Sequence, residues 1–204
     1  MSNVLIVSRT QMGGGNVCIG GYDVGAGRNI RLLTATGGNQ PGTAPFQIGE
    51  TWNITYTPKH NLSAPHTEDV MVQSAQLINT LSAAGLAAFI SQNCAIVAGG
   101  LNLLFGGAVH SPGHAASYID SSHIPNHSVC FWKPITDLFH VNAFNKHKYH
   151  YADQTNDTYF SYVGLIPPVN VIPAGSIVRM SLARWWTAPT ATSAACYLQV
   201  SGWY

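Results

Sequence analysis

The period of the apolar residues changes twice along this chain, and that change restricts its folds more than any other feature. In "TWNITYTP", residues 51–58, Trp52, Ile54 and Tyr56 alternate with Asn53, Thr55 and Thr57, the two-residue repeat of a strand with one wet face. Before it stand three short apolar runs, "NVLIVSR", "NVCIGGYDV" and "NIRLLT". The turn "GAGR" joins the last two as a hairpin, and Gly13, Gly14 and Gly15 read as a loop. Over residues 74–93, "SAQLINTLSAAGLAAFISQN", the leucines Leu77, Leu81 and Leu86 with Phe89 and Ile90 recur at spacings near three to five. That pattern predicts a helix packed on one side, with Gly85 as a point of division. The Gly-rich "AGGLNLLFGGAVHSPG" follows as an irregular connector anchored by Leu101 to Phe105. Short β-rich segments then return: "SVCFWKP", "LFHVNAFN", "KYHYADQ", "TYFSYVGLI", "SIVRMSLARWW" and "CYLQVSGWY".

Two blocks of short strands around a helical insert predict a mainly β chain of two small β units. Residues 1–75 form the first, residues 76–108 a helical and Gly-rich connector, and residues 109–204 the second. Strand number and length fit two OB-like five-stranded β-barrels in tandem. A single continuous sandwich is the alternative architecture.

Charge narrows the partners. Nine Lys and Arg stand against eight Asp and Glu, a net charge of +1, and only 8% of residues are charged. Duplex DNA is gripped by neutralising phosphates with clustered cations, and this chain lacks the cations for it. A bound polyanion would be held mostly by stacking and hydrogen bonds. The apolar run in "MSNVLIVSRT" is too short for a signal-peptide core, and no stretch has the length of a membrane span. A cytoplasmic protein without membrane contact is expected, which leaves the sequons "NIT", "NLS", "NHS" and "NDT" idle. Cys18, Cys94, Cys130 and Cys196 are widely spaced, form no CxxC pair and sit in or beside apolar runs. They read as reduced, buried small hydrophobes.

The opening "VLIVSR...VCIGGYDV..GRNIRLL", the middle "PHTEDVMV", then "HIPNHSVCFWKP..DL" and the close "IPAGSIVRMSLARWW...CYLQVSGWY" resemble, in order and spacing, the bacterial dual OB-domain family. The resemblance spans nearly the whole chain, and its last segment is the most specific. It implies two OB units in tandem and, through the fold, nucleic-acid binding. It brings no catalytic residues.

OB units bind single strands with a basic groove and aromatic platforms. The candidates are Arg28 and Arg31 in the first unit, and Lys146, Lys148, Arg179, Arg184 and Trp185 in the second, beside Tyr149, Tyr151 and Trp186. In "KHKYHY" parity places Lys146, Lys148 and His150 on one face and His147, Tyr149 and Tyr151 on the other. In "VRMSLARWW" Val178, Met180 and Leu182 point inward. An inward arginine is costly unless paired, so the strand is expected to end or bulge near Ala183, with Trp185 outside and Trp186 as a filler. Eight of nine histidines fall into sequence pairs: His60 with His66, His110 with His114, His123 with His127, and His147 with His150. Proline interrupts both HxxxH cases, so neither lies on a regular helix, and no metal or other cofactor is expected. No GxSxG or GK[ST] motif nominates an enzyme. A non-enzymatic binding protein is expected, with single-stranded nucleic acid as ligand. The alternative is an adaptor that docks a protein partner through the Trp-rich C-terminal unit and the apolar connector.

Overall fold

Strands β1 (Ser2–Gln11), β2 (Asn16–Asp23), β3 (Arg28–Leu33), β4 (Gln40–Pro41), β5 (Glu50–Pro58) and β6 (Asp69–Thr80) form one sheet in the order β1-β5-β6-β3-β2-β4. An added β1–β2 pairing closes five of them into a barrel. This computed structural model describes residues 1–143, 146–189 and 191–204. Strand β1 serves two neighbours: Ser2 to Leu5 pair with β5, and Val4 to Gln11 pair with β2. The β3–β6 pair is parallel and the others are antiparallel, a closed Greek-key barrel of the OB type. Alternation works as the sequence predicts, since Val4, Ile6, Val17, Ile19, Ile30, Leu32, Trp52 and Ile54 fill the interior. Gly21 faces the same interior. A Cβ there would lie 2.5 Å from Val4 Cγ1, so a side chain has no room.

The expected helix over residues 74–93 is shorter. Residues 74–80 belong to β6, where Leu77 opposes Trp52 and Thr80 opposes Glu50, and helix α1 covers only Ala83–Asn93. Pairing with β5 overrides the helical leucine spacing, and Leu77 is left exposed. Gly85 does not divide a helix. It sits in the first turn of α1, and its N–H donates to the Ser82 side chain at 3.1 Å, an N-cap. Leu86 and Ile90, one turn apart, are the helix's buried face.

The second unit holds β7 (Ile96–Ala98), β8 (Tyr118–Ile119), β9 (Val129–Lys133), β10 (Leu138–Ala143), β11 (Lys146–Ala152), β12 (Asp157–Tyr162), β13 (Val171–Ile172), β14 (Val178–Leu182) and β15 (Cys196–Trp203). Its order is β13-β10-β11-β12-β15-β14-β9-β7, with β8 on β15. This repeats the first barrel's plan. β9 and β10 are consecutive segments split after Lys133 at Pro134, which cannot donate to a ladder. β9 pairs with β14 and β10 with β11, so together they do what β1 does alone. β11, β12, β14 and β15 take the places of β2, β3, β5 and β6, and β12–β15 is parallel as β3–β6 is. Trp132, Tyr149, Tyr151 and Phe160 are fully buried in the core. The Tyr151 and Phe160 rings lie 5.0 and 6.2 Å from Trp132. Leu101, Leu104 and Phe105 of the Gly-rich segment anchor into the same core, on 3-10 turns within Leu101–Gly107 that break at Leu104, Phe105 and Gly106.

By contact the chain divides into Met1–Ser63, Thr67–Cys94 and Tyr204 on one side and Ala64–His66 with Ala95–Trp203 on the other. Within residues 76–108, the end of β6 and helix α1 therefore go with the first unit, and residues 95–108 with the second.

Candidate nucleic-acid interface

An OB barrel presents ligands on the outer face of its second and third strands and on the loops beside them. In the first unit those strands are β2 and β3, and their outer face is occupied by the unit itself. Tyr22 is 6% exposed, donates its hydroxyl to Asn93 O at the end of α1 at 2.7 Å, and meets the Phe89 ring edge-on at 6.0 Å. Arg31 is held by Asp69 of β6 through two bonds, Nε to Oδ1 at 2.5 Å and the Nη2 amine to Oδ2 at 2.6 Å. It ties the parallel β3–β6 pair together, with its Nε and one terminal nitrogen committed to the carboxylate. Arg28 is exposed at the start of β3, opposite Asp23.

In the second unit the corresponding strands are β11 and β12, and their outer face is open. Inward positions Leu138, Tyr149, Tyr151, Phe160 and Ile172 are fully buried, so their neighbours point outward. One rung of the sheet carries, from strand to strand, Val171, Phe139, His150 and Tyr159. Phe139 is 50% exposed, and the His150 and Tyr159 rings lie 4.8 Å apart. The next rung carries Val141, Lys148 and Ser161, and the one after it Ala143 and Lys146. Parity in "KHKYHY" thus holds for all six residues, and exposed His147 meets His140 on the tyrosine face, Nδ1 to Nε2 at 3.0 Å. Burial, and then the neighbouring His147, keep His140 below the ordinary histidine range.

A groove of about 490 Å³ lies over the Lys148 rung, lined by Val141, Ala143, Lys148 and Tyr159 and walled by His114, Ala115 and Ala116. Pairing of Ala115 with Thr158 holds the wall to β12, and His114 and His150 approach opposite oxygens of Asp157 at 3.1 and 2.9 Å. Among the described residues no group of three or more His, Cys, Asp or Glu is placed to hold a metal ion.

The β14–β15 loop differs from expectation. β14 ends at Leu182, as predicted near Ala183, with Val178, Met180 and Leu182 buried. Past Leu182 the strand ladder stops and its parity no longer applies. Trp185 packs against the core and its indole N–H donates to Ala64 O at 3.0 Å, while Trp186 is 54% exposed. Trp185 is thus the structural tryptophan of the pair. Trp186 meets Tyr197, which meets Tyr118, which stacks on His110, at centroid distances of 5.8, 5.9 and 5.3 Å. Arg184 is exposed at the start of the loop. Arg179, expected on a wet face, is 5% exposed. Its guanidinium donates to Ser201 Oγ at 2.9 Å, at a bulge between β14 and β15. Buried there, it cannot reach a phosphate.

The four cysteines are free thiols. Cys196 Sγ lies 3.9 Å from His66 Nε2, but burial pushes its thiol up to about 12. The same Nε2 faces Ala183 O at 3.1 Å, which fixes its proton on the carbonyl side. A thiol that stays protonated beside a nitrogen already donating is a packing contact, not an activated nucleophile.

The face that carries the sequence candidates Lys146 and Lys148 also carries Phe139 and Tyr159, which sequence reasoning did not single out, and Trp186, read as a filler, is exposed. Phe139 and Tyr159 lie in segments read as strands, and only the register between strands puts them on the Lys148 face.

No helix among the described residues is long and apolar enough to cross a membrane. No curated protein matches the chain. One similar solved structure, that of a murine DNA binding protein bound with ds DNA, is 9% identical and covers 98% of this chain and 93% of that chain at a TM-score of 0.32. The family model of the dual OB-containing domain matches residues 2–203, in keeping with a closed Greek-key barrel and a second unit on the same strand plan, and the chain belongs to that family.

Proposed function

We propose that this chain is a non-enzymatic binding protein that holds single-stranded nucleic acid on the outer β11–β12 face of its second OB unit. One observation carries the reading: the Phe139–His150–Tyr159 rung lies directly beside the Lys148 rung, on the strands where an OB barrel presents ligands. Rings on adjacent strands offer stacking to successive bases, and lysines one and two rungs away offer charge to the backbone between them. Lys146, Lys148 and exposed Arg184 supply few cations, which suits a single strand better than duplex.

The test is fluorescence anisotropy of a labelled single-stranded oligonucleotide over a salt series. Affinity that falls as salt rises supports the reading. An absence of binding at low salt removes it and leaves the protein-adaptor role, for which exposed Trp186 and Leu103 are the docking candidates.

A further inference from the structure

The groove beside the ring rung has more definition than stacking on an open sheet requires. Its volume of about 490 Å³ falls within the range of about 300–1,000 Å³ typical of small-molecule sites. Three small side chains, Ala115, Ala116 and Ala143, create that space. The wall is anchored: Ala115 O accepts from Thr158 Oγ1 at 2.7 Å and from Tyr159 N at 3.2 Å, and buried Ser117 Oγ lies 2.7 Å from Thr158 Oγ1. The space is therefore preformed, and a ligand need not order the wall to enter it.

The lining has two chemical parts. Val141 and the alanines offer an apolar surface, and Tyr159 and Lys148, the one side chain of permanent positive charge in the lining, share the same cavity. Asp157, the nearby carboxylate, already has an imidazole nitrogen at each oxygen, which limits its repulsion of an anion. We propose that the groove is a self-contained subsite for one nucleotide, with the base against the apolar lining and the phosphate on Lys148, so that it accepts a free nucleoside 5′-monophosphate. This rests on the nucleic-acid reading above and adds that one nucleotide of the bound strand is held in a walled pocket while its neighbours lie on the open face.

The experiment titrates the full chain with adenosine 5′-monophosphate, adenosine and inorganic phosphate separately, followed by calorimetry and by methyl NMR of Ala115, Ala116 and Ala143. The monophosphate should bind one to one, move those methyl signals, displace a bound oligonucleotide, and bind at least tenfold tighter than adenosine or phosphate. Lys148→Ala should weaken the monophosphate at least tenfold and leave adenosine unchanged. Ala116→Leu, which fills the groove, should abolish monophosphate binding without lowering the melting temperature. If the oligonucleotide binds but the monophosphate neither binds nor displaces it, the subsite is wrong and the nucleic-acid reading stands. If neither binds, both fall. Monophosphate binding that leaves the three alanine signals in place, or that equals inorganic phosphate, also overturns the subsite.

Discussion

Arg31 and Asp69 meet across the parallel β3–β6 pair as a planar fork, with both carboxylate oxygens engaged at 2.5 and 2.6 Å and the Asp69 side chain 4% exposed. A guanidinium fits this geometry and an ammonium does not. Arg31→Ala takes the bidentate partner from a buried carboxylate, and we expect a loss of about 3–5 kcal/mol of stability. Arg31→Lys should recover less than half of it. Chemical denaturation measures the loss, and oligonucleotide affinity should not change beyond the effect of unfolding.

The two adjacent tryptophans should separate cleanly. Trp185→Ala removes a core-packed ring and a hydrogen bond to Ala64 O, which costs about 3 kcal/mol. Trp185→Phe retains most of the packing and should lose only about 1 kcal/mol. Trp186→Ala, at an exposed position, should stay within about 0.5 kcal/mol of the parent. Thermal unfolding of the three variants decides this. Equal losses at both positions would contradict the assignment.

Asp153 ties the turn after β11. Burial alone raises its pKa, but the Thr155 N–H, the Tyr151 hydroxyl, and the Asn156 side chain and N–H outweigh that and hold it at about 2. A carboxylate with a lowered folded pKa adds stability that is fully present above its unfolded value and lost as pH falls toward 2. The stability gap between the parent and Asp153→Asn should therefore be widest above about pH 5 and shrink between pH 4 and pH 2. A gap that stays constant over that window would mean the carboxylate's charge is not what holds the turn.

Much of the fold was legible because strands announce their faces. "TWNITYTP" alternates strongly enough to place Ile54 inside from the sequence alone, whereas "KYHY" shows two faces without showing which is covered, and Tyr149 and Tyr151, offered as candidates beside the cations, are fully buried. Residues 74–80 were not legible, because their leucine spacing matches a helix while the partner that makes them a strand, β5, lies elsewhere in the chain. Arg179 misled for a related reason: parity shows which way a residue points but not whether anything covers that face. The site was half legible. Lys148 stands out as one of a few cations, but Phe139 sits in a run where Leu138 is equally apolar, and only pairing with β11 shows which of the two is outside.

The thiols should react in two classes. Burial pushes Cys130 up to about 12 and does the same to Cys196, while Cys18 and Cys94 are only partly buried. With a chromogenic disulfide at neutral pH we expect two equivalents to react in the folded protein and four after denaturation. Rapid reaction of Cys196 in the native state would contradict its burial.

The central claim is that the ring rung of the second barrel binds the bases of a single strand. The most direct measurement is oligonucleotide affinity for the parent, Phe139→Ala and Tyr159→Ala at several salt concentrations, with melting temperatures of all three. Both side chains point outward, so the variants should fold. Each should lose about 1–3 kcal/mol of binding free energy. The parent's log affinity should fall with log salt at a slope of about −2, as three cations on a single strand would give. Two results would contradict the claim: no binding by the parent at low salt, or binding that both variants leave intact.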